Sequence, residues 1–223
     1  MEDKKRLLRS MIFPLFMLVL MWIVKLTEYF FNLDFSSLGI KPLDGFGLIG
    51  IVTSPMLHAD FPHILANSIP FFVSASIIFY FYREIAFKVF FLIWVITGIW
   101  VWSFARGGVH IGASGIVYGY LSFLFFSGII RRNARLMAVS LLVIFLYGGL
   151  LWGIFPNFFP DRNISWESHL MGGVAGFVLS VFYRKRGMQK EEYHWDDDDD
   201  DDFTEMIEEQ PAEPDEQKEQ FNA

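Results

Sequence analysis

The sequence predicts an all-α polytopic membrane protein: six transmembrane helices in a bundle, with an external loop between helices one and two. Three observations predict this class. Hydrophobic residues make up 53% of the 223 residues, 26 of them Phe, whereas soluble domains average roughly 45–50% apolar. The apolar residues form long runs, as a hydrocarbon core about 30 Å thick requires. Basic residues cluster between these runs.

Six segments approach the roughly 20 apolar residues that a transmembrane helix needs. In the first segment, Lys25 and Glu28 interrupt the outer end, and we expect both to reach the headgroups. A basic stretch precedes this segment, but no small-x-small cleavage site follows it, so we expect a retained helix and not a signal peptide. The segments are residues 10–31, 62–82, 86–104, 112–130, 135–155 and 166–183.

The distribution of Lys and Arg predicts the orientation. With six spans both termini lie on one side, and twelve basic residues on that side face four on the other. This excess predicts cytoplasmic termini and a protein of the plasma or inner membrane. The twelve are Lys4, Lys5, Arg6, Arg9, Arg83, Lys88, Arg131, Arg132, Arg135, Arg184, Lys185 and Arg186, and the four are Lys25, Lys41, Arg106 and Arg162.

Two segments lie outside the predicted bundle. Residues 32–61 form an external connection rich in Gly, Pro and apolar residues, which we expect at the bilayer surface. From residue 187 onward the chain is acidic, and the consecutive aspartates Asp196–Asp202 match its formal charge of -7. We therefore predict a membrane domain over 1–186 and a disordered cytoplasmic tail over 187–223.

Composition excludes several kinds of site. The chain has no cysteine, so disulfides, thiolate catalysis and cysteine-bound metals are excluded. No basic patch interleaved with aromatics suggests nucleic acid. His58 and His63 are five residues apart and do not share a helical face, and no carboxylate faces inward. We therefore expect neither a metal site nor a cofactor.

The polar residues of the predicted spans fall on helices two, four and six. His63 and Asn67 share a face of helix two because they are four residues apart. Ser114 lies at the start of helix four and His169 at the start of helix six. All three helices begin on the outer side, so these groups lie at similar depth. Polar groups in membrane helices are hypotheses of function by default.

Glycines on helices four and six allow the two backbones to approach closely. Such an approach would bring His169 to Ser114, and a serine becomes a nucleophile when a base lies within about 2.6–3.2 Å. His63, Asn67 and peptide N–H groups near Ser114 would then supply donors for an oxyanion. The glycines are Gly112, Gly115 and Gly119 on helix four, and Gly172 and Gly176 on helix six.

These residues resemble the rhomboid family of intramembrane serine proteases, in the same order and spacing over about residues 10–185. Each motif alone is common, but three in register on alternate helices are specific. The matching motifs are His58-x4-His63-x3-Asn67, Gly112-x-Ser114-Gly115 with Tyr118, and His169-x2-Gly172-x3-Gly176.

The resemblance implies a catalytic dyad without a buried Asp, with Ser114 as nucleophile and His169 as base and then acid. It also implies that Tyr118 stacks on the histidine and that His63 and Asn67 lie near the oxyanion. The implied substrates are transmembrane or juxtamembrane segments of membrane proteins, cleaved near the outer face. The bilayer is the other expected partner, and the oligomeric state stays open.

The sequence also suggests roles for residues around the dyad and in the loops. Gly112 belongs to the oxyanion support, and His58, just before helix two, is expected to support these groups structurally. Glu167 is expected to face interfacial water and not to form a third triad member. The run 146–153 is expected to flank a substrate gate. The family often has a Trp-Arg pair in the first loop, which residues 32–57 lack, so the loop's conformation is in doubt.

Two other functions stay open. A catalytically silent relative would bind membrane proteins and control their folding or traffic, although such relatives are expected to lose Ser or His. A small transporter would use His63, Asn67 and His169 as a polar path. A transport path needs polar groups spread across the membrane, whereas these cluster at one depth.

Overall fold

The computed structural model describes residues 2–146 and 165–187, which are built from helices and contain no β-strand. The all-α prediction is therefore confirmed for these residues. Three 3-10 turns, Ser36–Leu38, Phe46–Ile49 and Ser54–Met56, lie between the first and third helices. The helices are α1 (Glu2–Phe31), α2 (Gly50–Thr53), α3 (Phe61–Phe81), α4 (Ala86–Phe104), α5 (Ser114–Ile130), α6 (Ala134–Leu146) and α7 (Trp166–Phe182).

All the helices except the short α2 correspond to predicted spans. The prediction for α4 matches its bounds, and those for α3 and α7 differ by one residue at most. Helix α1 begins eight residues before its predicted start, since the Lys and Arg residues there are good helix formers. By length and composition α1, α3 and α4 are apolar enough to cross a membrane. The count of six spans stays a prediction.

Three sequence predictions fall wholly or partly outside the described residues. They are the second half of the 135–155 span, the flank at 146–153, and the acidic tail from 187 onward. The structure describes residues 135–146 of the span, residue 146 of the flank and residue 187 of the tail.

Lys25 and Glu28 were expected to reach out to the headgroups, but both side chains fold back against the protein. The Lys25 ammonium lies 3.2 Å from the Glu28 carboxylate and donates to the carbonyls of His58 and Ala59 at 2.9 and 3.0 Å. The other Glu28 oxygen accepts from the N–H of Phe35 at 3.0 Å. Both charges are largely buried, so mutual pairing and backbone hydrogen bonds compensate their desolvation. They fasten the end of α1 to the chain entering α3.

Helices α5 and α7 touch backbone to backbone. A methyl group added at Gly172 would collide with the carbonyl of Gly115, and one added at Gly176 would collide with the carbonyl of Gly119. The Ser122 hydroxyl also donates to the carbonyl of Gly173 at 2.6 Å. Between helices in lipid there is no hydrophobic driving force, so close packing of small residues and interhelical hydrogen bonds hold them together. This glycine seam fixes the register of α5 against α7.

The first loop is fastened to α4 by two indoles. Trp94 donates to the carbonyl of Ile51 at 2.8 Å, and Trp102 donates to that of Asp44 at 2.9 Å. The N–H of Leu43 donates in return to the Trp102 carbonyl at 3.0 Å. The loop therefore has donors from outside itself, which is how it is held without a Trp-Arg pair.

A second contact joins this loop to the segment before α5. Ile40 and His110 form an isolated antiparallel bridge with N–H···O distances of 3.0 and 2.8 Å. The first loop thereby packs against the chain that leads to Ser114.

The glycine seam predicts that Gly176→Ala lowers the melting temperature of the purified protein in detergent. The added methyl meets the Gly119 carbonyl, and overpacking typically costs about 1–3 kcal/mol. Gly173→Ala is the matched control, because nothing lies within 4 Å of its methyl position. Equal melting temperatures for the two variants would contradict a steric seam at Gly176.

The indole contacts predict that Trp102→Phe loosens the first loop while the bundle stays folded. The change removes one hydrogen bond, worth about 1 kcal/mol, so hydrogen exchange over residues 40–56 should quicken severalfold. Trp100→Phe is the control, since no hydrogen bond from Trp100 occurs in the described residues. If both variants exchange alike, the Trp102–Asp44 bond does not hold the loop.

Candidate active site

Ser114 begins α5, directly after a tight backbone turn. Gly112, two residues earlier, has φ of +109°, a conformation that L side chains rarely adopt. Its N–H donates to the carbonyl of Ser54 at 2.9 Å. The helix therefore begins two residues later than predicted. The turn sets Ser114 on the first turn of the helix, where its side chain is only partly buried.

His169 lies on the first turn of α7 and contacts Ser114. Its Nε2 is 2.8 Å from the Ser114 Oγ, within the distance that general-base catalysis needs. The imidazole is 7% exposed, so solvent competes little for this hydrogen bond. Ser165 caps the N-terminus of α7, its hydroxyl accepting from the N–H of Ser168 at 3.4 Å.

Tyr118 packs flat against the histidine ring. The two ring centroids are 4.2 Å apart and the planes differ by 13°. Tyr118 is one helical turn beyond Ser114 on α5, so the same helix carries the hydroxyl and the ring that fixes its partner. Stacking of this kind limits rotation of the His169 imidazole and keeps Nε2 directed at Ser114.

His63 and Asn67 approach the same turn from α3. Asp60 caps that helix and accepts from the N–H of His63 at 2.7 Å. A methyl group at Gly112 would lie 2.7 Å from the His63 Nε2 and 3.8 Å from the Asn67 Nδ2. Both nitrogens therefore lie beside the glycine that precedes Ser114. Within the described residues the buried Asn67 Nδ2 has no hydrogen-bond partner, so it is a donor without an acceptor.

His58 lies behind His63, with the two rings edge to face at 5.0 Å. Its Nε2 accepts the N–H of Ala113 at 3.5 Å. Burial, and secondly the proximity of His63, lowers the pKa of His58 to about 3. The ring is therefore neutral at physiological pH, as an acceptor must be. His58 therefore contacts the turn before Ser114, and its supporting role stays a prediction.

Two of the peptide N–H groups near Ser114 already have acceptors in the described residues. The N–H of Gly112 is used by Ser54, and that of Ala113 by His58. The N–H of Ser114, as the first residue of α5, has no partner inside the helix. Sequence reasoning treated these groups alike, because their hydrogen bonds go to residues distant in the chain.

Glu167 is buried, which contradicts the expectation that it faces interfacial water. It is 3% exposed, and its carboxylate lies 3.0 Å from the Arg106 guanidinium. Arg106 is 61 residues away, so sequence spacing gave no sign of the pair. The ion pair joins the chain before α5 to the first turn of α7, two residues from His169.

His110 is a supporting residue that sequence reasoning missed. It is 6% exposed, and its Nδ1 lies 2.6 Å from the Ser165 Oγ, which is 2.6 Å from the Ser168 Oγ. Its Nε2 lies 3.1 Å from the carbonyl of Arg106. A histidine two residues before Gly112 was the available signal. Within the described residues no cluster of three or more metal-binding side chains occurs.

Comparison with known proteins gives the same family for most of the chain. The Rhomboid domain model matches residues 46–186. An uncharacterized protein of Mycobacterium tuberculosis is 33% identical over 172 residues, covering 72% of this chain and 70% of its own. An uncharacterized protein of Mycobacterium leprae is 32% identical over 185 residues, covering 78% of this chain and 73% of its own. The "Putative rhomboid protease YdcA" of Bacillus subtilis is 29% identical over 135 residues, 58% and 64%.

The turn at Gly112 predicts that Gly112→Ala slows the reaction of Ser114 with a fluorophosphonate by about tenfold to a hundredfold. The methyl group meets the His63 imidazole, and displacements near 1 Å cost rates of this order. Gly108→Ala is the control, because Gly108 has φ of +132° but nothing within 4 Å. Equal slowing in both variants would attribute the effect to backbone strain alone.

Proposed function

Because the chain belongs to the rhomboid family, whose model matches residues 46–186, and is an integral membrane protein, we propose that it is an intramembrane serine endopeptidase. Ser114 is the nucleophile, and His169 is the general base and then the general acid. The observation that carries the proposal is the 2.8 Å contact between the Ser114 Oγ and the His169 Nε2.

Acylation proceeds by proton transfer within this pair. As the Ser114 Oγ bonds to the carbonyl carbon of the scissile amide, its proton passes to the His169 Nε2. The tetrahedral intermediate then collapses, the C–N bond breaks, and the imidazolium protonates the leaving amine. Water next attacks the acyl-enzyme while His169 accepts its proton. The C–Oγ bond breaks, the acid product leaves, and the proton returns to Ser114.

Developing charge on the carbonyl oxygen needs donors beside Ser114. His63 and the Asn67 amide nitrogen face that region from α3, and the N–H of Ser114 adds a backbone donor. Asn67 is the better-placed side chain, since its buried Nδ2 has no other hydrogen bond in the described residues. A donor that already lacks an acceptor loses nothing when the oxyanion forms. Removing one such donor typically costs about 10²–10³ in kcat.

The substrates of this enzyme are transmembrane or juxtamembrane segments that can unwind, because a scissile amide within a stable helix is protected. The twelve-to-four distribution of basic residues supports six spans with both termini in the cytoplasm. With that orientation Ser114 and His169 open to the outer face of a plasma or inner membrane. The membrane domain spans 1–186, and residues 187–223 form a separate cytoplasmic tail.

Single substitutions test the dyad directly. Ser114→Ala should abolish both fluorophosphonate labelling and cleavage of co-expressed, tagged single-span substrates. His169→Ala should reduce labelling by at least about a thousandfold, since the serine loses its base. The melting temperatures of both variants should stay within a few degrees of the wild type. Labelling is measured on gels, and cleavage is measured by immunoblots of the substrate tags.

Ser103→Ala is the control, being a serine on α4 whose hydroxyl donates to the Ile99 carbonyl of its own helix at 2.8 Å. It should label at the wild-type rate. Labelling of His169→Ala at that rate would exclude His169 as the base. If the folded wild type neither labels nor cleaves any substrate in the panel, the chain is a silent relative that binds membrane proteins.

A further inference from the structure

A cavity of about 980 Å³ lies at the end of the bundle remote from Ser114. It is lined by the N-terminal part of α1, the C-terminal end of α3, the turn to α4, the first turn of α4 and Gly187. On α3, His63 and Asn67 occupy the first two turns, whereas Phe79 lines the cavity twelve residues beyond Asn67. At 1.5 Å per residue this is about 18 Å along the helix, so the cavity is separate from the candidate active site.

Four of the described residues that line this cavity are cations: Lys5, Arg6, Arg9 and Arg83. Arg6 is fixed, because its guanidinium donates to the carbonyl of Tyr80 at 2.9 Å and lies 4.7 Å from the centre of the Tyr80 ring. The other three are exposed, and no ion pair or side-chain hydrogen bond engages them within residues 2–146 and 165–187. They are therefore available to an anion.

Two carboxylates, Asp3 and Glu84, also line the cavity. Neither forms an ion pair with a described cation within 4.0 Å. Among the described residues that line the cavity, four cations against two carboxylates give a net charge of +2. The basic residues are therefore not neutralised by their neighbours, and the cavity attracts negative charge.

The floor of the cavity is aromatic. Phe13 lies with its ring centroid 5.3 Å from that of Phe79 and 4.9 Å from that of Phe87, and Phe79 and Phe87 are 4.8 Å apart. Apolar side chains of α1 and α4 continue outward from this floor, where Ile12 is 65% and Phe87 53% exposed. Cations together with an apolar floor match a ligand with an anionic head and a hydrocarbon tail.

We propose that this cavity binds the headgroup of an anionic glycerophospholipid, whose acyl chains lie against the exposed faces of α1 and α4. Its phosphodiester is held by Arg9, Arg83 and Lys5 beside the fixed Arg6. Basic pockets between helices at one membrane face are suited to such headgroups, and each cation near the surface contributes to their attraction. The volume is at the upper end of the roughly 300–1,000 Å³ of small-ligand sites.

Native mass spectrometry of the full chain in neutral detergent tests this site. Dioleoyl phosphatidylglycerol should bind with one tight site, and dioleoyl phosphatidylcholine should not. The double variant R9Q/R83Q should bind phosphatidylglycerol about tenfold or more weakly. The matched control R132Q/R135Q removes the same charge from exposed positions outside the cavity and should bind within about threefold of wild type. R9K/R83K keeps the charge and should also retain binding.

Three results would overturn the proposal. Equal loss in R9Q/R83Q and R132Q/R135Q would mean general surface attraction, and equal binding of phosphatidylcholine would mean that charge does not select the lipid. Displacement of phosphatidylglycerol by millimolar inorganic phosphate or glycerol phosphate would identify a site for a soluble anion. If the double variant does not fold, R83Q compared with R132Q makes the same distinction.

Discussion

The backbone contact between α5 and α7 is the constraint on which the candidate site depends. Ser114 immediately precedes Gly115, and His169 is three residues before Gly172, whose missing side chain admits the Gly115 carbonyl. Two helices this close cannot rotate or slide without driving a carbonyl into a Cα. The 2.8 Å distance between hydroxyl and imidazole is thus a consequence of how the backbones meet, and Tyr118 needs to fix only the tilt of the ring.

The opposite wall of the site is held in a different way. His63 and Asn67 come from α3 and lie beside the turn at Gly112. Hydrogen bonds to residues far away in the sequence hold this turn: the N–H of Gly112 donates to the Ser54 carbonyl, and the next N–H donates to the His58 ring. His110 adds the bridge to Ile40 and the contact with Ser165. One wall is therefore set by rigid helix packing and the other by a network of loop hydrogen bonds.

Sequence patterns predicted the helices well because apolar runs set them locally, as the 86–104 segment shows. They also indicated that Ser114 and His169 lie at the starts of their helices, as the structure has them on the first turns of α5 and α7. They failed where partners are far apart in the chain. Glu167 was expected to face interfacial water because its partner, Arg106, is 61 residues earlier and gave no local sign of an ion pair. His110 lies in a loop, where no helical periodicity indicates which residues are buried. The indole donors to the first loop were equally hidden, because Trp94 and Trp102 are 43 and 58 residues away from their acceptors, Ile51 and Asp44.

Helix α4 connects the two ends of the molecule. Its first turn carries Phe87, which floors the cationic cavity, and its last turn carries Trp102, which holds the first loop through Asp44. A helix of 19 residues is about 28 Å long and moves largely as a rigid rod. Any shift of α4 against α1 therefore alters the cavity and the first loop together. That loop pairs with His110 through Ile40, so α4 contacts both the cationic cavity and the loop that packs against the chain before Ser114.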